Sequence, residues 1–296
     1  MNKSNPSLPY ICLVLAMVLW ASTFVALKLA FRLYDPMVVI FGRMAVASLL
    51  AIFFAPFAFK NIPFRKKDLK YIAFMVICEP CLYFIFEAQA LVHTSAAQAG
   101  MITSMMPLMV AIGAWLFLKE KLSLKTCLGF TIAVIGALWL SFASESSSHA
   151  PNPRLGNFLE FMAIVCASGY ALSLKKLTSR YSPLFLTFVQ AFSGAIFYFP
   201  ALFLPGTQIP TQIEPVPLFA IFYLGSAVTL GAYGFYNYGV SKIPASQATA
   251  FINLIPVFGL IMSALVLGER FSSVQYMASI LVLTGVIISQ DLKSKT

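Results

Sequence analysis

The chain has 296 residues, 60% of them hydrophobic and only 10% charged, whereas a soluble domain carries about a quarter charged residues. With a mean hydropathy of +0.86, this balance excludes an ordinary soluble domain and points to a polytopic membrane protein. The net charge of +10 does not make a nucleic-acid surface, because the basic residues fall between apolar runs and not along one amphipathic face.

Taken in order, apolar runs bounded by charge, Pro or Gly fall at 9–31, 36–59, 70–92, 95–118, 124–143, 156–178, 183–204, 217–240, 246–267 and 273–290. A hydrocarbon core about 30 Å thick takes roughly 20 helical residues, and none of these runs alternates as the strands of an outer-membrane barrel do. The expected fold is therefore an all-α membrane protein of ten transmembrane helices. The first run, Tyr10 to Ala30, is too long for the apolar part of a signal peptide and is read as a retained span. The five cysteines, Cys12, Cys78, Cys81, Cys127 and Cys166, lie inside apolar runs, where Cys behaves as a small hydrophobe. Cys78 and Cys81 have C-x-x-C spacing without a second pair, so packing is expected and no metal or cofactor site.

Residues 96–136, AAQAGMITSMMPLMVAIGAWLFLKEKLSLKTCLGFTIAVIG, are echoed without a gap 149 positions later as ASQATAFINLIPVFGLIMSALVLGERFSSVQYMASILVLTG. Gln98 falls over Gln247, Pro107 over Pro256, Glu120 over Glu269 and Gly136 over Gly285, which marks a duplication. More weakly, Ala21-Ser22-Thr23-Phe24 in the first span is echoed by Ala167-Ser168-Gly169-Tyr170 in the sixth. The expected organisation is a first repeat over 1–143, an extracellular linker over 144–155 and a second repeat over 156–296.

Orientation follows from where Lys and Arg collect. With a cytoplasmic N-terminus the inner side holds Lys3, Lys60, Arg65, Lys66, Lys67, Lys70, Lys119, Lys121, Lys125, Lys175, Lys176, Arg180, Lys242, Lys293 and Lys295. The outer side keeps Lys28, Arg32, Arg154 and Arg270, and Arg43 lies within a span. Both termini are thus expected in the cytoplasm, in the cell's inner membrane. Because five spans separate the copies, the turn at Glu120 is placed inside and that at Glu269 outside, so the repeats are inverted. Inverted five-helix repeats are an architecture of alternating access around a site near the bilayer midplane.

The arrangement Leu19-Trp20-Ala21-Ser22-Thr23-Phe24, with Gln98, Pro107 and Glu120 in one copy and Gln247, Pro256 and Glu269 in the other, resembles the EamA-type transporters of the drug/metabolite transporter superfamily. The resemblance implies ten helices and a central cavity walled in part by the third, fourth, eighth and ninth spans. It also implies a cargo among amino acids, relatives of nucleotides, sugars and other small metabolites. Where many relatives read Glu-Pro in the ninth span, this chain has Ile255-Pro256, and its own Glu-Pro pair is Glu79-Pro80 in the third.

Glu79 stands about 13 Å beyond Lys70 at helical rise, where a carboxyl usually faces a cavity, finds a partner or binds a proton; the plainer reading is a hydrogen-bonded structural acid. Pro80 cannot donate to the carbonyl of Val76, and by the same rule Pro107 frees Thr103 and Pro256 frees Ile252, leaving either acceptors for cargo or simple kinks. Glu79, Tyr83 and Glu87 follow at i, i+4, i+8 on one helical stripe. Arg43 and Glu87 lie at similar depth and are expected to pair, with contact to a substrate carboxylate as the alternative for Arg43. The eighth span concentrates Tyr233, Tyr236, Asn237 and Tyr238. Asn253 is the counterpart of Ser104, and Trp20 is deep enough to reach the cavity, whereas Trp115 and Trp139 read as belt residues. Such a lining of Tyr, Asn, Gln and Trp with a carboxyl suits a small zwitterionic or amphipathic cargo; each polar residue can equally be interhelical glue. Glu120 and Glu269 sit at helix ends and are expected to cap turns.

Three functions follow. The first is efflux of amino acids or related metabolites. The second is proton-coupled export of lipophilic organic cations through Glu79 and Glu87. The third is a membrane-embedded enzyme or structural subunit, disfavoured because the two histidines, His93 and His149, fall in expected outer loops and no hydrolase or phosphate-binding motif is present. The expected partners are a small-molecule substrate, the lipid bilayer and protons, with no nucleic acid, in a monomer or homodimer.

Overall fold

The structure, a computed structural model, describes residues 7–59, 62, 64–118, 123–147, 150–243 and 245–289. Lys3, Lys60, Lys119, Glu120, Lys121, His149, Lys293, Lys295 and the side chain of Gln247 lie outside the described residues. Every element is helical among those described. Eight helices are long and apolar enough to cross a membrane: α1 (Leu8–Phe31), α3 (Lys66–His93), α4 (Ala96–Phe117), α5 (Leu124–Phe142), α6 (Pro153–Leu177), α7 (Pro183–Phe203), α8 (Pro215–Lys242) and α9 (Ala248–Leu267). Two apolar helices are shorter, α2 (Pro36–Ile52) and α10 (Ser273–Ser289). The protein is a multi-pass membrane protein.

Local chemistry sets the helix starts. Asp35, Asn152 and Ser182 each precede a proline, and their side chains accept from the amides of Met37, Leu155 and Phe185. The proline occupies the first helical position, where its missing N–H costs no intrahelical bond. The second apolar run was expected to continue to residue 59, but α2 ends at Ile52. Pro56 accounts for the stop, because its ring clashes with the carbonyl four residues back, that of Ile52.

Prolines also break the helices in mid-course. In α3 the regular helix ends at Val76, Glu79 takes an extended conformation (φ −150°, ψ 118°), and regular turns resume at Tyr83. Tyr198 of α7 places its hydroxyl against the carbonyls of Pro80 and Cys81 at this break. In α4 the helix is interrupted at Ser104 and Met105, ahead of Pro107, and α9 tightens over Phe251–Asn253, ahead of Pro256. These last two breaks are equivalent positions of the duplication.

The two repeats are interleaved. Helix α1 packs on α8 and α9, and its counterpart α6 packs on α3 and α4; α2 packs on α7 and α8, and α7 in turn packs on α2 and α3. Counterpart helices run antiparallel. Phe41 of α2 meets Phe199 of α7, while Phe59, beyond α2, meets Phe185 near the start of α7. In the α5–α10 pair, Thr126 near the start of α5 bonds the carbonyl of Ser289, and Gln275 near the start of α10 bonds Ser144 just past α5.

The α5–α10 pair meets through small residues. A methyl on Gly129 would strike the carbonyl of Gly285 and come within 2.6 Å of the Ser289 amide, and one on Gly136 would lie 2.7 Å from the amide of Val282. Lipid offers no hydrophobic drive between helices, so this backbone approach supplies the packing energy. Gly129→Leu is expected to destabilise the folded protein by about 2 kcal/mol or more, read as a lower thermal midpoint in detergent. Gly259→Ala, where nothing lies within 4 Å of the new methyl, is the control that should leave the midpoint unchanged.

Candidate functional site

The broken helices converge on a narrow cavity between the repeats. Its walls include Trp20, Thr23 and Phe24 of α1, Arg43 of α2, Glu79, Tyr83 and Glu87 of α3, Thr103 of α4, Tyr170 of α6 and Tyr233 of α8. Its volume of about 40 Å³ holds a few waters at most.

Because α3 is extended at Glu79, this carboxyl leaves the helical stripe and turns to α8, where Tyr233 donates to its Oε1. Tyr83 and Glu87 stay on regular helix and bond one another, the Tyr83 hydroxyl donating to Glu87 Oε1 at 2.9 Å. The other oxygen of Glu87 lies 3.7 Å from a terminal nitrogen of Arg43, and both side chains are buried. Arg43 also donates through Nε to Thr229 at 3.3 Å, and its guanidinium lies 4.2 Å from the centre of the Phe84 ring. The expected Arg43–Glu87 pair is thus formed, and Glu79 is left with a neutral partner.

Aromatic rings frame Glu79. Trp20 packs on Tyr233 and Tyr236 with ring centres 5.3 and 4.8 Å apart, and Tyr170 lies 6.1 Å from Tyr233. The indole N–H of Trp20 and the hydroxyl of Tyr236 are buried without a hydrogen-bond partner. Asn237 stands behind this wall: its carbonyl accepts from Tyr170 at 2.6 Å, and its amide donates to Thr187 at 2.8 Å. It orients Tyr170 and does not itself line the cavity. Ser104 and Asn253 sit at the equivalent breaks in α4 and α9 but outside the lining; Ser104 bonds the Met101 carbonyl at 2.6 Å, and the Asn253 carbonyl oxygen is unpartnered. The structure therefore brings Trp20, Arg43, Glu79, Tyr83, Glu87 and Tyr233 together and leaves Ser104, Asn237 and Asn253 behind them. Sequence reasoning missed Tyr170, the Thr103 hydroxyl and a further carboxyl beside Glu79 and Glu87, Glu160 of α6, which is fully enclosed and hydrogen-bonds the Thr103 hydroxyl at 2.9 Å. An acidic residue four positions past the start of the sixth apolar run was the available signal for Glu160.

Each end of the cavity is tied across the repeats. At one face Asp68 of α3 meets Arg180 at 2.8 Å and Tyr181 at 3.1 Å; beside this tie, within the second repeat, Lys175 of α6 donates to the carbonyls of Val240 in α8 and of Ile243 just past it. At the other, Gly268 ends α9 with a positive φ of 70°, which favours glycine. The following Glu269 then caps α4, its two oxygens accepting from the amides of Ala96 and Ala97 at 3.0 and 2.9 Å. The Gln98 carbonyl beside it gathers Ser144 and Asn157, each at 3.0 Å.

Comparison with known proteins gives the chain's family and fold. The model of the EamA-like transporter family matches twice, over residues 7–142 and 154–289. An uncharacterized transporter, YetK of Bacillus subtilis, is 26% identical across 95% of this chain and 86% of its own length. An uncharacterized transporter of Archaeoglobus fulgidus is 28% identical across 94% of this chain and 97% of its own. A probable terminal-alkyne amino-acid exporter of Streptantibioticus cattleyicolor is 25% identical across 93% and 91%. A solved crystal structure shares the fold with a TM-score of 0.67 at 15% identity, covering 96% of both chains. With both halves of the chain matched by one family model, the protein belongs to the EamA-like transporter family.

Proposed function

We propose that this chain exports small metabolites bearing an amino group, amino acids or related compounds, by alternating access, with Glu79 receiving the ammonium. The observation that carries this reading is the charge balance of the cavity wall: two carboxyls and one guanidinium, with the guanidinium set against Glu87. A buried carboxylate without a cation is costly, and an ammonium from the cargo supplies one. The rings of Trp20, Tyr170 and Tyr233 around it offer faces that attract cations. The relative named as a probable amino-acid exporter supports the same cargo class.

In this reading all ten helices cross the bilayer as two inverted repeats, 1–143 and 156–296, joined by an outer linker over 144–155, with both termini cytoplasmic in the inner membrane. The Asp68–Arg180 tie closes the cytoplasmic mouth and the Glu269 cap the outer one, and transport consists of releasing one while the other holds. The aromatic frame also favours a second reading, proton-coupled export of lipophilic organic cations, in which a proton and the cargo take turns on Glu79.

Uptake of labelled amino acids and quaternary amines into proteoliposomes, with and without a pH gradient, separates the two. Glu79→Gln is expected to lower transport roughly tenfold or more, the loss of one charge-assisted hydrogen bond, with folding unchanged; undiminished transport contradicts the assignment. Asp68→Asn is expected to shift the resting population towards the state open at that mouth, by a few-fold. Spin labels at Arg65 and Ser182 should then report a longer distance; an unchanged distribution counts against the gate.

A further inference from the structure

Glu160 is the buried carboxyl that the cargo site does not use. It lies about 10 Å along α6 from Pro153, and Arg43, Glu87 and Thr103 stand at similar distances from the matching ends of their own helices. Its side chain is enclosed completely. One oxygen has a single partner, the Thr103 hydroxyl at 2.9 Å, and the other has none.

The Thr103 hydroxyl limits how the proton can be shared. It lies 2.9 Å from Glu160 Oε1 and 3.0 Å from the Ala99 carbonyl oxygen. A carbonyl can only accept, and a hydroxyl has one proton to give. If Thr103 donates to Ala99, the contact with Glu160 is a hydrogen bond only when the carboxyl itself carries a proton and donates. If Thr103 donates to Glu160 instead, the second oxygen stays orphaned whether or not it carries a proton, and an ionised carboxylate would be left in a dry interior with one hydrogen bond.

The surroundings favour the first arrangement. Of the helices packed on α6, α3 faces Glu160 with Glu87 and Tyr83, and α4 faces it with Thr103. Helices α5, α8 and α9 bring no charged side chain to this depth among the described residues. The neighbouring carboxyl Glu87 holds Arg43, so the cation nearest this layer is already engaged. A second carboxylate here meets like charge and no counter-ion, which disfavours its ionised form.

We propose that Glu160 is a proton-binding site, separate from the cargo carboxyl Glu79, and that its proton holds α6 of one repeat to α4 of the other while the cavity is closed. When the helices part, water reaches the orphaned oxygen, the O–H bond breaks and the proton passes to water as hydronium, leaving a hydrated carboxylate. Closure requires the reverse. The proton-binding step stands by itself; its use as a coupling ion rests on the transport function proposed above.

Infrared spectra of the purified protein at neutral pH test the binding step without any cargo. The wild type should show the carbonyl stretch of a buried carboxylic acid. Glu160→Gln, which keeps a donor for Thr103, should lose one carboxyl's share of that band while retaining its thermal midpoint. Thr103→Val should shift the band without removing it. A Glu160→Gln band equal in intensity to the wild type overturns the proposal, and so does a Thr103→Val band that does not move. In liposomes, Glu160→Gln should still exchange radiolabelled leucine but no longer concentrate it under a pH gradient. Accumulation at the wild-type level overturns the coupling role. A wild type that moves no leucine or quaternary amine contradicts the proposed function instead, and the infrared result then decides the proton site alone.

Discussion

One guanidinium shares the middle of this protein with three carboxyls. Arg43 cannot be exposed, because α2 is held on both sides by α7 and α8, and it cannot stand unpaired in a low-dielectric interior. Glu87 answers that need, with Tyr83, Thr229 and the Phe84 ring completing the shell. Once Arg43 is committed, Glu79 and Glu160 are left to hydroxyl partners. The chemistry of the cavity follows from this shortage of positive charge.

In the proposed transport cycle, the duplication accounts for a site that is enclosed and yet able to open. Proline interrupts α3, α4 and α9 near their middles, so carbonyls that would serve the helix are diverted and the backbone can bend there. The breaks in α4 and α9 fall at equivalent residues, Ser104 and Asn253, so either repeat can yield at the same place. By contrast, α5 and α10 meet backbone to backbone through Gly129, Gly136 and Gly285. In the proposed cycle that pair is the fixed part of the bundle and the proline-broken helices are the parts that move.

Much of the architecture was legible in the chain because hydrophobic runs and an ungapped repeat are properties of sequence order. The depth match of Arg43 and Glu87 was readable from helical rise alone, and so was the contact between Tyr83 and Glu87, one turn apart. The partner of Glu79 was not, since Tyr233 is 154 positions away and the meeting depends on Glu79 leaving the helix. Asn237 shows the converse limit: its place in a polar span was visible, but its side chain turns to Thr187 and Tyr170, away from the cavity. Glu160 was hidden for a similar reason. Near the start of a span it resembles a solvated helix end, and only the packing of α3 and α4 over it encloses the carboxyl.

In the proposed function the cavity opens in turn to each side of the membrane. In a background lacking the five native cysteines, Thr23→Cys places a thiol on the cavity wall. A membrane-impermeant maleimide, added to one face at a time in oriented vesicles, then reads which side reaches it. Labelling from either face, and from each more slowly when the tie at that face is cross-linked, is the predicted result. Labelling confined to a single face under every condition contradicts alternating access.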